Sequence, residues 1–99
     1  MTAKWFDGIE ASIDGVEYAV GEAKFDLSEE EANDLITSTI TLFHQHFEKQ
    51  LDYIRVVFDD IEYGLSDRCI LTGERIDELS QHVRNFIHHE RTRDTSGDA

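Results

Sequence analysis

Residues 51–65 read Leu51-Asp52-Tyr53-Ile54-Arg55-Val56-Val57-Phe58-Asp59-Asp60-Ile61-Glu62-Tyr63-Gly64-Leu65, and the fold turns on whether they continue a helix or pair in a sheet. Spacing favours the helix. Ile36, Ile40, Phe43, Phe47, Leu51, Ile54, Phe58, Ile61 and Leu65 recur in steps of three or four, which marks one face of a helix. No glycine or proline interrupts the chain between Glu22 and Tyr63. Ser28 followed by Glu29, Glu30 and Glu31 is a capping box, and Gly64 stands where a C-terminal cap belongs. The pattern predicts one helix from about residue 29 to about residue 63, roughly 50 Å long at 1.5 Å per residue. Composition speaks for the sheet. Tyr53–Phe58 is rich in β-branched and aromatic side chains, and Arg68–Leu71 has room for a further strand, which gives the order ββαββα.

Upstream, Asp14-Gly15 is a two-residue turn signal. Folding about it sets Ile13 opposite Val16, Ala11 opposite Tyr18 and Ile9 opposite Val20, all on one face. The next pair outward is Asp7 with Glu22, two like charges, where pairing weakens or bends. Downstream, Leu65, Cys69, Thr72, Ile76, Leu79, Val83 and Phe86 form a second helical seam, capped by Ser66 or Thr72 and fading around His88–Arg91. The expected fold class is α+β: an N-terminal β-hairpin followed by an antiparallel pair of long α-helices, with ββαββα as the alternative. Residues 1–91 form one small domain, residues 92–99 a disordered polar tail, and no internal repeat is expected.

The net charge is −13, from 22 Asp and Glu against 9 Lys and Arg. Residues 28–63 alone carry nine acids and two bases. Such a field repels nucleic acid and anionic membrane and steers toward cationic protein surfaces. The scarcity of lysine (Lys4, Lys24 and Lys49) also fits adaptation to salt. One cysteine, Cys69, forms no internal disulfide and falls on the apolar seam as a small hydrophobe. No apolar run has signal-peptide or membrane-span length, so a cytoplasmic protein is expected.

Two features of the helical reading call for partners. Leu35–Phe47 contains no Asp, Glu, Lys or Arg. A solvent-facing helix normally carries charge, so Ile36, Thr37, Ile40, Thr41 and His44 are candidates for a dimer interface, unless the hairpin covers them. Asp59, Asp60 and Glu62 would oppose the dipole at a helix C-terminus. Together with Asp52 they are the candidate partner-binding residues.

Little else carries chemistry. His44 with Glu48, and Glu78 with His82, are i,i+4 pairs that a helical hairpin turning near Leu65 brings level, a weak metal-ligand pattern. No zinc-type or calcium-loop spacing is present, and no metal or other cofactor is expected. The serines have no nucleophile-elbow context, and the glycines form no phosphate-cradling loop. The expectation is a non-enzymatic acidic protein that occupies a basic, nucleic-acid-binding site on a target protein, with carboxylates standing in for phosphates. Small acidic proteins carried by phages or mobile elements against host defence, including CRISPR systems, supply the analogy, which is one of composition alone. The alternative is a structural helical homodimer whose acidity is salt or solubility adaptation. A third class, a metal-dependent protein using the His–Glu pairs, is the least favoured.

Overall fold

Residues 51–65 lie in a sheet. The computed structural model of the protein describes residues 5–25, 27–66 and 68–97. In chain order the elements are β1 (Trp5–Ile13), β2 (Val16–Val20), β3 (Lys24–Phe25), α1 (Glu29–Gln45), β4 (Gln50–Phe58), β5 (Ile61–Ser66), β6 (Cys69–Ile70) and α2 (Gly73–Gly97). The strands form one antiparallel sheet in the order β2-β1-β4-β5, with β3 beside β1 and β6 beside β4.

The expected pair of long helices is therefore corrected. The N-terminal hairpin stands, with Ile13, Ala11 and Ile9 opposite Val16, Tyr18 and Val20. Helix α1 ends at Gln45, with His46 as its C-cap, and Glu48 takes φ 70° in the turn that follows. The Glu48 N–H donates to the Leu71 carbonyl, and the Leu71 N–H to that of Lys49, so the chain is drawn into the sheet without a glycine or proline. Beyond that point the three-and-four steps were a coincidence of two periods. Ile54, Val56 and Phe58 also alternate, and all three are buried beside half-buried Tyr53, Arg55 and Val57. A strand at the centre of a sheet favours such β-branched residues. The element order is ββαββα with β3 and β6 as short extensions of the second strands. Helix α2 starts only after Thr72, whose Oγ1 accepts from the Arg75 N–H at 3.2 Å. Its backbone continues past His88–Arg91 to Gly97, through residues 92–97 of the expected tail, and residues 98–99 lie outside those described.

Both helices cover the same face of the sheet. Ile9, Ala11, Ile13, Ile54, Val56 and Phe58 meet Ala32, Leu35, Ile36 and Phe43 from α1 and Ile76, Leu79, Val83 and Ile87 from α2 in one core. The capping box at Ser28 is made in full: Glu31 N–H donates to Ser28 Oγ, and Ser28 N–H to Glu31 Oε1.

The expectation of no internal repeat is also corrected. Ile13-Asp14-Gly15-Val16-Glu17-Tyr18 and Phe58-Asp59-Asp60-Ile61-Glu62-Tyr63 stand 45 positions apart, and each turns a hairpin. Both turn pairs have positive φ, 52° and 79° in the first and 51° and 65° in the second, the geometry of a type I′ turn. The helix caps Ser28 and Thr72 correspond at a spacing of 44. On β1 and β4, Glu10 pairs with Arg55, Ile9 with Val56 and Ala11 with Ile54. Glu10 and Arg55 are themselves 45 apart, so each is the other's image. The chain is thus two ββα units about an approximate two-fold axis that passes between Glu10 and Arg55.

Candidate docking face

The helices leave the other face of the sheet uncovered. Alternation along the strands places Glu10 and Ser12 of β1, Glu17 and Ala19 of β2, Tyr53, Arg55 and Val57 of β4, and Glu62 and Gly64 of β5 on that face. Arg55 lies at its centre. Its Nε is 2.7 Å from Glu10 Oε1 and its Nη1 is 3.1 Å from Glu62 Oε1, and the guanidinium carbon stands 4.7 Å from the Tyr53 ring centroid. The Tyr53 hydroxyl donates to Glu17 Oε2 at 2.8 Å. Its hydrogen bond to Glu17 holds the phenol above its ordinary pKa, and the Glu10 hydrogen bond raises Arg55 further. Four side chains from all four main strands are thereby fixed around one cation.

Two more carboxylates border this face, and the sheet itself places them there. Register slips between Phe6 and Gly8, and between Ser12 and Ile13 opposite Tyr53 and Leu51, leave Asp7 and Asp52 as bulge residues. A bulge re-aims its side chain. Asp7 Oδ2 accepts from the Asp60 N–H at 3.1 Å, and Asp52 Oδ2 from the Gly15 N–H at 2.9 Å. Gly8, Ala19 and Gly64 are small, so the face is low in relief. A recess of about 310 Å³ beside Gly8 and Ala19 is lined by Ile9 and Val57 and by the acids Asp7, Glu10, Asp60 and Glu62.

Of the residues expected to bind a partner, Glu62 lies on this face, Asp60 lines its recess, Asp52 borders it from a bulge at the other end of β4, and Asp59 sits in the turn after β4. The reason for singling them out is corrected, because they do not oppose a helix dipole. Asp59 and Asp60 form the second type I′ turn, where Asp59 Oδ1 accepts from the Trp5 N–H at 2.7 Å. Asp52 braces the first turn. Glu10 and Glu17 were not among the candidates because they belong to the N-terminal hairpin, outside the acid-rich residues 28–63. The signal was available: Glu10 alternates with Ile9 and Ala11 on β1, and Glu17 with Val16 and Tyr18 on β2.

Of the expected dimer residues, Ile36 is buried in the core and Ile40 packs against it, while Thr37, Thr41 and His44 are exposed on α1. The hairpin covers one side of the uncharged stretch, where Leu35, Ile36 and Phe43 meet Ile9, Ala11 and Ile13, and leaves Thr37, Ser38, Thr41, His44 and Gln45 exposed on the other. His44, Glu48, Glu78 and His82 are all exposed, and the helical hairpin that was to align them does not exist. Among the described residues no three His, Cys, Asp or Glu side chains group as a metal site. Cys69 is half-buried in β6 opposite Leu51. No helix of the described residues is long and apolar enough to cross a membrane. No family model matches the chain, and no curated protein or solved structure matches it either.

Proposed function

We propose that this protein is a non-enzymatic binding module that docks its uncovered sheet face on a basic surface of another protein, of the kind that otherwise holds nucleic-acid phosphates. One observation carries the reading: that face presents Asp7, Glu10, Glu17, Asp52 and Glu62 around Arg55, and Arg68, whose Nε is 4.0 Å from Asp52 Oδ1, is a second cation at its border, so the acids outnumber the bases five to two. The net charge of −13 steers encounter toward cationic partners, and complementary potential sets on-rate and specificity. A rigid sheet carries the carboxylates, and the Arg55 and Tyr53 contacts fix Glu10, Glu17 and Glu62 before any partner arrives, which lowers the ordering cost of association.

The test compares two triple variants of equal charge change. Glu10→Gln, Glu17→Gln and Glu62→Gln neutralise the face. Glu74→Gln, Asp77→Asn and Glu78→Gln neutralise exposed positions on α2. Each variant and the wild-type chain serve as bait for host lysate at low salt, and the basic proteins retained are then titrated in purified form. The face variant should lose about tenfold or more in affinity, a change of about 1.4 kcal/mol, while the α2 variant stays near wild type. Equal losses from both would assign binding to a diffuse field and remove the docking face.

A further inference from the structure

The free edge of β2 and the adjoining flank of α1 carry a second inference; the edge borders the acidic face, to which Glu17 and Ala19 turn their side chains, while the α1 flank lies on the opposite side of the sheet. We infer that this edge joins a second copy of the chain, continuing the sheet as β5-β4-β1-β2-β2-β1-β4-β5 with the two α1 helices side by side.

The molecule already contains this mode of joining. Its two ββα units meet through an antiparallel pair of strands, β1 with β4, while α1 and α2 pack together above them. Among the described residues, the outer strands β2 and β5 each lack a neighbour on one side. They are not equivalent templates. β2 pairs with β1 over Val16–Val20 with no break in register, whereas β5 pairs with β4 across a register shift at Ile54/Arg55, with Gly64 in its middle. A bulged, glycine-bearing edge resists strand addition, and a regular one accepts it.

Charge decides the occupant. A chain of net charge −13 repels its own copies everywhere except where its surface is uncharged. Beside β2 there is such a place. A recess between the strand and α1 is lined by Ala19, Gly21, Thr37, Ser38, Thr41 and Gln45, none of them charged. The Thr41 hydroxyl donates to the Thr37 carbonyl within the helix, so it is already satisfied without a partner. Val16, at the start of the strand, is 52% exposed.

Register follows from the turn. In a two-residue type I′ hairpin the residues flanking the turn are a hydrogen-bonded pair, so Val16, Tyr18 and Val20 bond to β1. Glu17 and Ala19 therefore turn their backbone N–H and C=O to the free edge. A two-fold pairing centred on Tyr18 sets Glu17 opposite Ala19 of the other copy, and no carboxylate faces its own image.

Sedimentation equilibrium of the full chain, over a range of concentrations at about 0.1 M and about 1 M NaCl, tests the proposal. These salts shorten the screening length from about 10 Å to about 3 Å. The protein should be dimeric, and its dissociation constant should fall at least tenfold at the higher salt, because the copies repel at long range. Docking to a basic partner has the opposite salt dependence, so failure of one reading is distinguishable from failure of the other. Ala19→Pro removes an edge N–H that β1 does not use, and Thr41→Glu puts charge in the recess. Both should be monomeric with wild-type circular dichroism. Thr41→Glu lies on an exposed helix position, so it remains informative if the proline variant misfolds. A wild-type chain monomeric at both salts, or a Thr41→Glu variant as dimeric as wild type, overturns the proposal.

Discussion

Asp7 and Asp52, 45 positions apart on the two central strands, each brace the hairpin turn of the other half. Asp7 Oδ2 holds the Asp60 N–H at 3.1 Å, and Asp52 Oδ2 holds the Gly15 N–H at 2.9 Å. Around each clasp the same backbone bonds recur: Asp14 N–H to the Gln50 carbonyl at 2.8 Å and Asp59 N–H to the Trp5 carbonyl at 2.6 Å. The return bonds run from Gln50 N–H to Asp14 Oδ1 and from Trp5 N–H to Asp59 Oδ1. The two-fold relation is thus chemical as well as topological, and each unit closes the other.

Removing a clasp should loosen one end of the sheet. Asp7→Ala and Asp52→Ala should each cost about 1.5–3 kcal/mol, the range for a hydrogen bond to a charged acceptor. For a chain of this size that is a fall of about 4–8 °C in melting temperature per kcal/mol. The clasps sit at opposite ends of the β1–β4 pair, five residues apart along the strand, or roughly 17 Å at about 3.4 Å per residue. The double variant should therefore add to within about 0.5 kcal/mol. Strong coupling in thermal melts would show that the two ends do not act separately.

The two turns differ at one position, and that difference predicts a stabilising change. Gly15 has φ 79°, while its counterpart Asp60 has φ 65°. A left-handed conformation costs an ordinary L-residue about 1 kcal/mol more than glycine. Asp60→Gly should raise stability by about 0.5–1 kcal/mol, read as a higher denaturant midpoint at unchanged slope. The Asp7 clasp survives, because it uses the backbone N–H of residue 60.

Glycine 21 should tolerate no side chain. It has φ 84°, and a Cβ there would stand 2.8 Å from Leu35 Cδ1 and 3.2 Å from Phe6 Cε2. Gly21→Ala should cost about 1–3 kcal/mol through strain and overpacking where the chain leaves β2. Gly64→Ala is the contrast. Nothing lies within 4 Å of its Cβ position, so that change should be neutral or slightly stabilising. Equal effects of the two in urea melts would reject the steric account.

What could be read in advance was local. The Asp14-Gly15 hairpin, its register and the Ser28 capping box depend on neighbours in sequence, and each formed as the residues dictated. The end of α1 was hidden because no breaker marks it. Helix and strand periods coincide at Ile54 and Phe58, the bulge at Asp52 brings Leu51 to the same side, and only the long-range hydrogen bonds of residues 48–71 separate the two readings. The repeat was legible in Asp14-Gly15-Val16-Glu17-Tyr18 against Asp59-Asp60-Ile61-Glu62-Tyr63. It was masked by placing the second copy in a helix, where its acids looked anomalous. The docking face depends on which side of the sheet the helices take, which no single strand reveals.

The last prediction concerns acid. The Lys24 ammonium, 2.6 Å from Glu31 Oε2, and next the Ser28 N–H hold the Glu31 carboxyl down at about 2, against an ordinary value of 4.5. A carboxyl whose folded pKa lies below its unfolded one contributes stability that is complete above about 4.5 and is lost as pH falls through about 2. The absolute melting curve does not isolate this, because protonating other carboxylates also relieves the self-repulsion of a −13 chain. The difference between wild type and Glu31→Gln does. Glutamine preserves the capping box, so the variant removes the charge facing Lys24 and little else. Wild type should melt higher near neutral pH, and its advantage should shrink steadily between about pH 4.5 and about pH 2. Lys24 gives the mirror image. Its pKa is raised, first by the Glu31 hydrogen bond, so its contribution is present below 10.5 and is lost as pH rises through the folded value. An advantage over Glu31→Gln that stayed constant down to pH of about 2 would mean that the Lys24–Glu31 contact does not hold the start of α1.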